Sequence, residues 1–266
     1  MVTGAGAGIG RETAVEMARQ GARGVVASDL DGDAAKETAA LVEVEGAETL
    51  AVACDISSSD RVERLMAAAA ERFGGIDVLH NNAGIHETGL TDEPRLESLS
   101  EEIFDKVCDV NLKGVWLATK HATPYLRESE GAAIVNASSL SGLVGFEGAG
   151  VYCATKAAVI ALTKVTALEL AADGIRCNCY CPGAADTAMA RGYISSAPDP
   201  LVAEQTLVAS HLIPRMADPL EIASLVCFLA SDASSFMTGT AVPIDGGATA
   251  WRGVNQPSPT TPGGSN

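Results

Sequence analysis

Tyr152 and Lys156 stand four residues apart in the run Val151-Tyr152-Cys153-Ala154-Thr155-Lys156. On a helix, that spacing puts both side chains on one face. A phenol beside an ammonium is equipped for acid–base chemistry, because the cation favours phenolate and lowers a pKa that starts near ~10. A fall of about 3 units corresponds to ~4 kcal/mol and makes the phenol a usable acid and base near neutrality. Ser139 follows the apolar run Ile134–Ala137, and its hydroxyl can donate to a carbonyl or alkoxide oxygen. Alone, Tyr152 reads as a packing residue and Lys156 as a solvated cation. Together with Ser139 they point to proton transfer at an oxygen.

A second group suits a nucleotide. The stretch Thr3-Gly4-Ala5-Gly6-Ala7-Gly8-Ile9-Gly10 runs straight into a helical pattern. Glycines there permit a tight turn and a close backbone approach to a pyrophosphate, and the helix start adds N–H donors and partial positive charge. Asp29 ends the next apolar run, about 20 residues on, where a carboxylate can accept from both hydroxyls of an adenosine ribose. Asp55, before Ile56, ends the third run and suits the adenine amino group. Each aspartate reads equally as a helix cap or a solvated strand end.

These groups need a scaffold. Apolar runs at Gly24–Ser28, Thr49–Ala53, Val78–Asn81, Ala132–Ala137, Ile175–Tyr180 and Ala241–Ile244 predict strands covered on both faces. Amphipathic stretches between them predict helices at Ile9–Gln20, Ala34–Glu45, Asp60–Phe73, Glu101–Arg127, Val151–Ala172 and Pro219–Ala230. The last carries a capping box, with Asp218 as cap, Pro219 at the first position and Glu221 three residues after the cap. Such alternation predicts an α/β fold with a doubly wound parallel sheet. The 266 residues, 47% of them hydrophobic, can bury a substantial core. A net charge of −16 argues against nucleic acid or anionic membrane as a partner. No apolar run reads as long enough to span a bilayer. Seven scattered cysteines read as reduced thiols, and so predict a cytoplasmic protein.

Asn81-Asn82-Ala83-Gly84, Asn111, Ser139, Tyr152-x3-Lys156 and Pro182-Gly183, taken with the glycine turn, resemble the motifs of the short-chain dehydrogenase/reductases in order and spacing. The resemblance runs from Val2 to about Ala250. It implies a Rossmann-like sheet of about seven strands in the order 3-2-1-4-5-6-7, flanked by helices on both faces. It implies one domain over 1–251 with a substrate lid at about 184–217. It also implies Tyr152 as general acid/base, Ser139 steadying the substrate oxygen, and Lys156 tuning Tyr152 and holding a ribose. Asn111, a poor helix former inside a predicted helix, would keep a kink and a water linked to Lys156. Gly4, Gly8, Ile9, Gly10, Asp29, Asp55, Ile56, Asn82, Ala83, Gly84, Tyr152, Lys156, Pro182, Gly183 and Thr187 would hold the cofactor, which Asp29 predicts to be NAD. The implied reaction is hydride transfer between a nicotinamide and a secondary alcohol or ketone, without a metal. The implied assembly is a homotetramer, with Val107, Val110, Val115, Val159, Leu162 and Val165 offered as surplus apolar surface. Competing readings are an epimerase or dehydratase on the same scaffold and a non-catalytic dinucleotide sensor. The latter class typically lacks the Tyr or the Lys.

Other features read as structural. Cys177, Cys179 and Cys181 alternate along one strand face, too far apart to converge on one zinc, and predict buried thiols. His80, His86, His121 and His211 have no metal-ligand spacing, and His86 reads as either a pocket residue or a solvated one. Leu143, Val144, Phe146, Met189, Tyr193, Leu201 and Leu207 predict an apolar pocket without an arginine pair, suited to an uncharged substrate. Only Met1 and Val2 precede the glycine turn, against about 5–6 residues in a typical strand, so a natural start upstream is expected. Residues 252–266 read as a flexible tail.

Overall fold

The computed structural model describes residues 1–251 and 253. The strands are β1 (Val2–Thr3), β2 (Gly24–Asp29), β3 (Glu48–Ala53), β4 (Val78–Asn81), β5 (Ala133–Ala137), β6 (Arg176–Pro182) and β7 (Ala241–Ile244). They form one parallel sheet in the order β3-β2-β1-β4-β5-β6-β7. Central β5, Ala-Ile-Val-Asn-Ala, is buried at every position, while edge strand β3 has exposed ends.

Helices cover both faces. On one, Leu65 and Met66 of α3 (Ser59–Phe73) and Leu117 and Leu126 of α5 (Gly114–Leu126) pack on Val26, Leu79 and Ile134. Ala167, near the end of α6 (Gly150–Glu169), joins them. On the other, Ala14 and Val15 of α1 (Gly8–Arg19) and Val42 of α2 (Gly32–Val44) cover Val2, Val25 and Ala27. Ile222, Val226 and Leu229 of α9 (Pro219–Ala230) cover Val135 and Tyr180. Both halves of the expected Asp218–Glu221 capping box are formed. Because all strands run parallel, their carboxyl ends share one edge, where open α/β sheets bind ligands.

Two expectations need correction. The single helix expected over 101–127 is α4 (Glu101–Cys108), a π-turn (Asp109–Lys113) and α5. The wider turn carries Asn111 inward, to 0% exposure, and supplies the expected kink. The segment 184–217 contains α7 (Ala188–Ser196) and α8 (Pro200–Val208), and a bridge between Ala185 and Ala217 closes its base. Helix α6 does have the length and hydropathy of a membrane span, 20 residues with a mean hydropathy of 1.4. It owes them to two apolar flanks: one packs on the sheet and π-turn, and the other exposes Val165 and Leu168. The tail expected at 252–266 lies, Gly253 apart, outside the described residues.

Candidate active site

The glycine turn leaves β1 and enters α1 with Gly4 and Gly8 at positive φ. A Cβ on Gly10 would lie 2.1 Å from the Gly4 carbonyl oxygen, so no side chain fits there. A Cβ on Gly8 would lie 3.0 Å from the Thr187 methyl, so the loop after β6 closes over the turn. Asn82 clamps the turn from below, its amide donating to the carbonyls of Thr3 (3.1 Å) and Gly4 (3.0 Å). Asn82 in turn accepts from the Tyr180 hydroxyl at 3.4 Å, and that hydroxyl is 3.0 Å from His80 Nε2. The buried Tyr180 and His80 went unnoticed as a support in sequence, because their contact spans 100 residues.

Asp29 sits at the end of β2. It accepts from the Gly6 N–H at 2.8 Å and the Asp31 N–H at 3.0 Å. Asp55 accepts from the Ser57 hydroxyl and N–H, and these bonds hold its carboxyl below the usual carboxylate range. Both aspartates edge a cleft of 420 Å³ that also meets Gly4, Gly8, Ile9, Ile56, Asn82, Ala83, Gly84, Tyr152, Lys156, Pro182 and Thr187. Among the expected residues, Gly10, Asn111, Ser139 and Gly183 stand behind its wall. A second cleft of 650 Å³ lies around Gly24, Phe73 and Val78, at the amino ends of the strands and away from Tyr152. The narrow glycine approach, the acidic ribose-side group and the cleft between them fit a dinucleotide.

At the far end of the cleft lie Tyr152 and Lys156, with Ser138 in its wall and Ser139 beside Tyr152. Ser138 fixes the backbone here, donating to the Lys156 carbonyl at 2.8 Å. Ser139 accepts from the Ser141 N–H at 3.0 Å and hydrogen-bonds the Tyr152 side chain. Lys156 is 4% exposed, donates to the Ala137 carbonyl at 2.8 Å and stands 5.5 Å from the Tyr152 ring centroid. The lowered tyrosine pKa expected from the spacing is not found. Burial pushes the phenol up to about 12, the Ser139 bond only partly opposing it, and burial also brings Lys156 down to about 8. Desolvation penalises the charged form of each group and is the largest influence on both, the ammonium standing 5.5 Å from the ring centroid.

Asn111 joins the parts. It accepts from the Ile85 N–H at 2.8 Å and donates to the Ile85 carbonyl at 2.8 Å and to Thr155 Oγ1 at 3.4 Å. The His86 ring lies against that of Tyr152, centroids 4.4 Å apart and planes tilted by 33°. Met189 lines the cleft, while Leu143, Val144, Phe146 and Tyr193 are partly exposed. Leu201, expected in the pocket, is 72% exposed on α8. Cys177, Cys179 and Cys181 are buried free thiols, as read. Among the described residues, no group of three or more His, Cys, Asp or Glu could hold a metal ion.

Comparison with known proteins follows the same outline. A family profile described as enoyl-(acyl carrier protein) reductase matches residues 4–249. Meso-2,3-butanediol dehydrogenase of Serratia marcescens is 38% identical over 250 residues, covering 94% of both chains. The chain belongs to the short-chain dehydrogenase/reductase family. Cis-4-hydroxycyclohexanecarboxylate dehydrogenase of Sinomonas cyclohexanicum is 39% identical over 94% of this chain and 96% of its own. The crystal structure of levodione reductase superposes with a TM-score of 0.86 at 36% identity, over 94% of this chain and 96% of that one. Short-chain dehydrogenase/reductases of this kind are oxidoreductases that use a nicotinamide dinucleotide.

Proposed function

We propose that the chain is an NAD-dependent oxidoreductase that interconverts a secondary alcohol and a ketone, with Tyr152 as general acid and base. The observation that carries this reading is the pairing of Tyr152 and Lys156, with Ser139 against the Tyr152 side chain, at one end of a cleft whose other end is the glycine turn and Asp29. Gly4, Gly8, Ile9, Gly10, Asp29, Asp55, Ile56, Asn82–Gly84, Lys156, Pro182-Gly183 and Thr187 would hold the dinucleotide. When bound, its nicotinamide supplies or accepts the hydride.

The chain's own residues handle the proton. With its hydroxyl held up at about 12, Tyr152 is a protonated acid at neutral pH and gives its proton to a ketone oxygen in reduction. In oxidation its phenolate takes the alcohol proton. Ser139 donates to the same oxygen and steadies developing negative charge. Lys156 places a cation beside the phenol, and Asn111 ties the loop after β4 to the catalytic helix.

The substrate we favour is uncharged. The two arginines of the lid region are committed, Arg191 to Asp186 and Arg215 to Glu221. The relatives named for butanediol and levodione fit this reading. For a carboxylate such as the one in the Sinomonas cyclohexanicum relative's name, the lining residues of the cleft offer no cation besides Lys156, which donates to the Ala137 carbonyl. The test is a panel of secondary alcohols and ketones followed at the nicotinamide absorbance with each cofactor. Turnover of uncharged members is expected; conversion with no net absorbance change would instead indicate an epimerase or dehydratase.

We place this unit, residues 1–251, in a reducing cytoplasm as a homotetramer. All seven cysteines are free. Of the residues first offered for the interface, Val107, Val115 and Val159 are buried within the chain. Apolar surface that a partner could cover is instead offered by exposed Phe104, Trp116, Val165 and Leu168, on α4, α5 and α6. Light scattering at micromolar concentration should give a particle four times the 27.2 kDa chain; a particle of 27.2 kDa would rule the assembly out.

A further inference from the structure

Glu87 is fully buried, with 0% exposure, although it opens a single 3₁₀ turn (Glu87–Gly89) in the segment after β4. Its Oε1 accepts from the Val151 N–H at 3.0 Å and the Tyr152 N–H at 3.2 Å. These are free donors of the first turn of α6, whose own cap residue, Ala149, provides no side-chain bond. The catalytic helix is therefore capped in trans, by a residue 64 positions earlier in sequence. The other oxygen, Oε2, has no hydrogen-bond partner and lies 3.5 Å from His86 Nδ1. That nitrogen accepts from the Thr88 N–H at 3.2 Å, so the neutral ring carries its proton on Nε2. The same ring lies against Tyr152.

A burial this costly needs a local return. Two backbone bonds and the helix dipole account for one oxygen; they leave the second unexplained. What Glu87 and His86 share is Tyr152: one holds its backbone N–H, and the other covers its ring.

The geometry points to Glu87 as a positioning residue for the proposed reaction, fixing the start of the catalytic helix and with it the Tyr152 backbone, while the neighbouring His86 covers the Tyr152 ring. The inference rests on the reading of Tyr152 as acid and base. Its charge also acts on the phenol. The titratable or charged groups facing Tyr152 are Glu87 and His86 from the segment after β4, Cys153 and Lys156 on its own helix, and Tyr180 on β6, and the Ser139 hydroxyl meets it from the end of β5. Among them Glu87 favours the protonated phenol. Glu87→Gln keeps an acceptor for both N–H groups and removes the charge, whereas Glu87→Ala removes both.

The test compares kcat, KM and cofactor affinity for Glu87→Ala, Glu87→Gln, His86→Ala and Tyr152→Phe, with folding followed by circular dichroism. Glu87→Ala is expected to lower kcat about 30-fold, the scale of a small misplacement of a catalytic group, while NADH affinity by fluorescence stays within about threefold. Glu87→Gln should recover part of that loss and shift the alkaline rise of alcohol oxidation to lower pH. His86→Ala should lower kcat without changing NADH affinity. If Glu87→Ala does not fold, the glutamine and His86 variants decide. Parent-like kcat together with an unmoved pH profile in Glu87→Gln, or parent-like kcat in Glu87→Ala, would overturn the assignment. Tyr152→Phe separates the two levels: if it abolishes turnover while the Glu87 variants are parent-like, only the positioning role fails; if it stays active, the acid–base reading itself fails.

Discussion

Tyr152→Phe is expected to cut turnover at least about 100-fold, the scale of a lost general acid and base, while leaving folding and dinucleotide affinity close to the parent's. The substitution is conservative where the residue packs. Phenylalanine keeps the ring that lies 4.4 Å from His86 and 5.5 Å from the Lys156 ammonium. Ser139 retains its bond from the Ser141 N–H. What disappears is the one hydroxyl placed to exchange a proton with a substrate oxygen. The pH dependence carries a second, independent signature. Burial holds the phenol up at about 12, so it is almost wholly protonated at neutral pH. Ketone reduction, which uses the protonated form, should be nearly flat through neutrality. Alcohol oxidation, which uses phenolate, should rise with pH toward that value. The variant should lose the rise along with the rate. Steady-state assays in both directions across pH 6 to 10, with melting curves alongside, make the comparison. Turnover within a few-fold of the parent in either direction would remove Tyr152 from the mechanism.

The sequence reading succeeded where signals are local. Alternating apolar runs located six strands, because a strand covered on both faces must be apolar throughout. Asp218-Pro219 marked a helix start, as its capping box is complete within four residues. The same signal stands at Asp199-Pro200, where Asp199 accepts from the Leu201 and Val202 N–H groups. There the flanking Pro198 and Pro214 interrupt the helical pattern and mask it. Electrostatics were less legible. Four-residue spacing places Lys156 on the face of Tyr152, but it carries no information about Ala137, whose carbonyl takes the ammonium. Glu87 was invisible for a related reason. It caps a helix 64 residues away, and no pattern in its own neighbourhood distinguishes it from a solvated acid. Motif spacing reports which side chains can meet, whereas burial decides what charge they carry once they do.

Cofactor choice should favour NAD over NADP by roughly 30- to 1,000-fold in kcat/KM, equivalent to about 2–4 kcal/mol. Asp29 lies at the ribose end of the cleft with its carboxylate already held by the Gly6 and Asp31 N–H groups. Its remaining lone pairs can accept from ribose hydroxyls, but a 2′-phosphate would meet a like charge there. A phosphate-binding relative needs a cation in the glycine turn or just after β2. Here those positions hold exposed Ala7 and Leu30, the latter 73% exposed. Arg11 is the nearest cation in sequence, and it is engaged three ways: with the Gly6 carbonyl, with Thr38 at 3.1 Å and with Glu37 at 3.0 Å. Recruiting it to a phosphate would break a turn contact and an ion pair. Asp29→Ala with Leu30→Arg should therefore move preference toward NADP. Asp29→Asn separates two roles, since the amide oxygen still accepts from Gly6 while the charge is gone. If charge governs selectivity, the asparagine variant loses discrimination but keeps NAD affinity within several-fold. If Asp29 serves only to build the turn, the asparagine variant retains the parent's preference. Equal use of both cofactors by the parent, or an unshifted preference in the double variant, would remove Asp29 from cofactor selection.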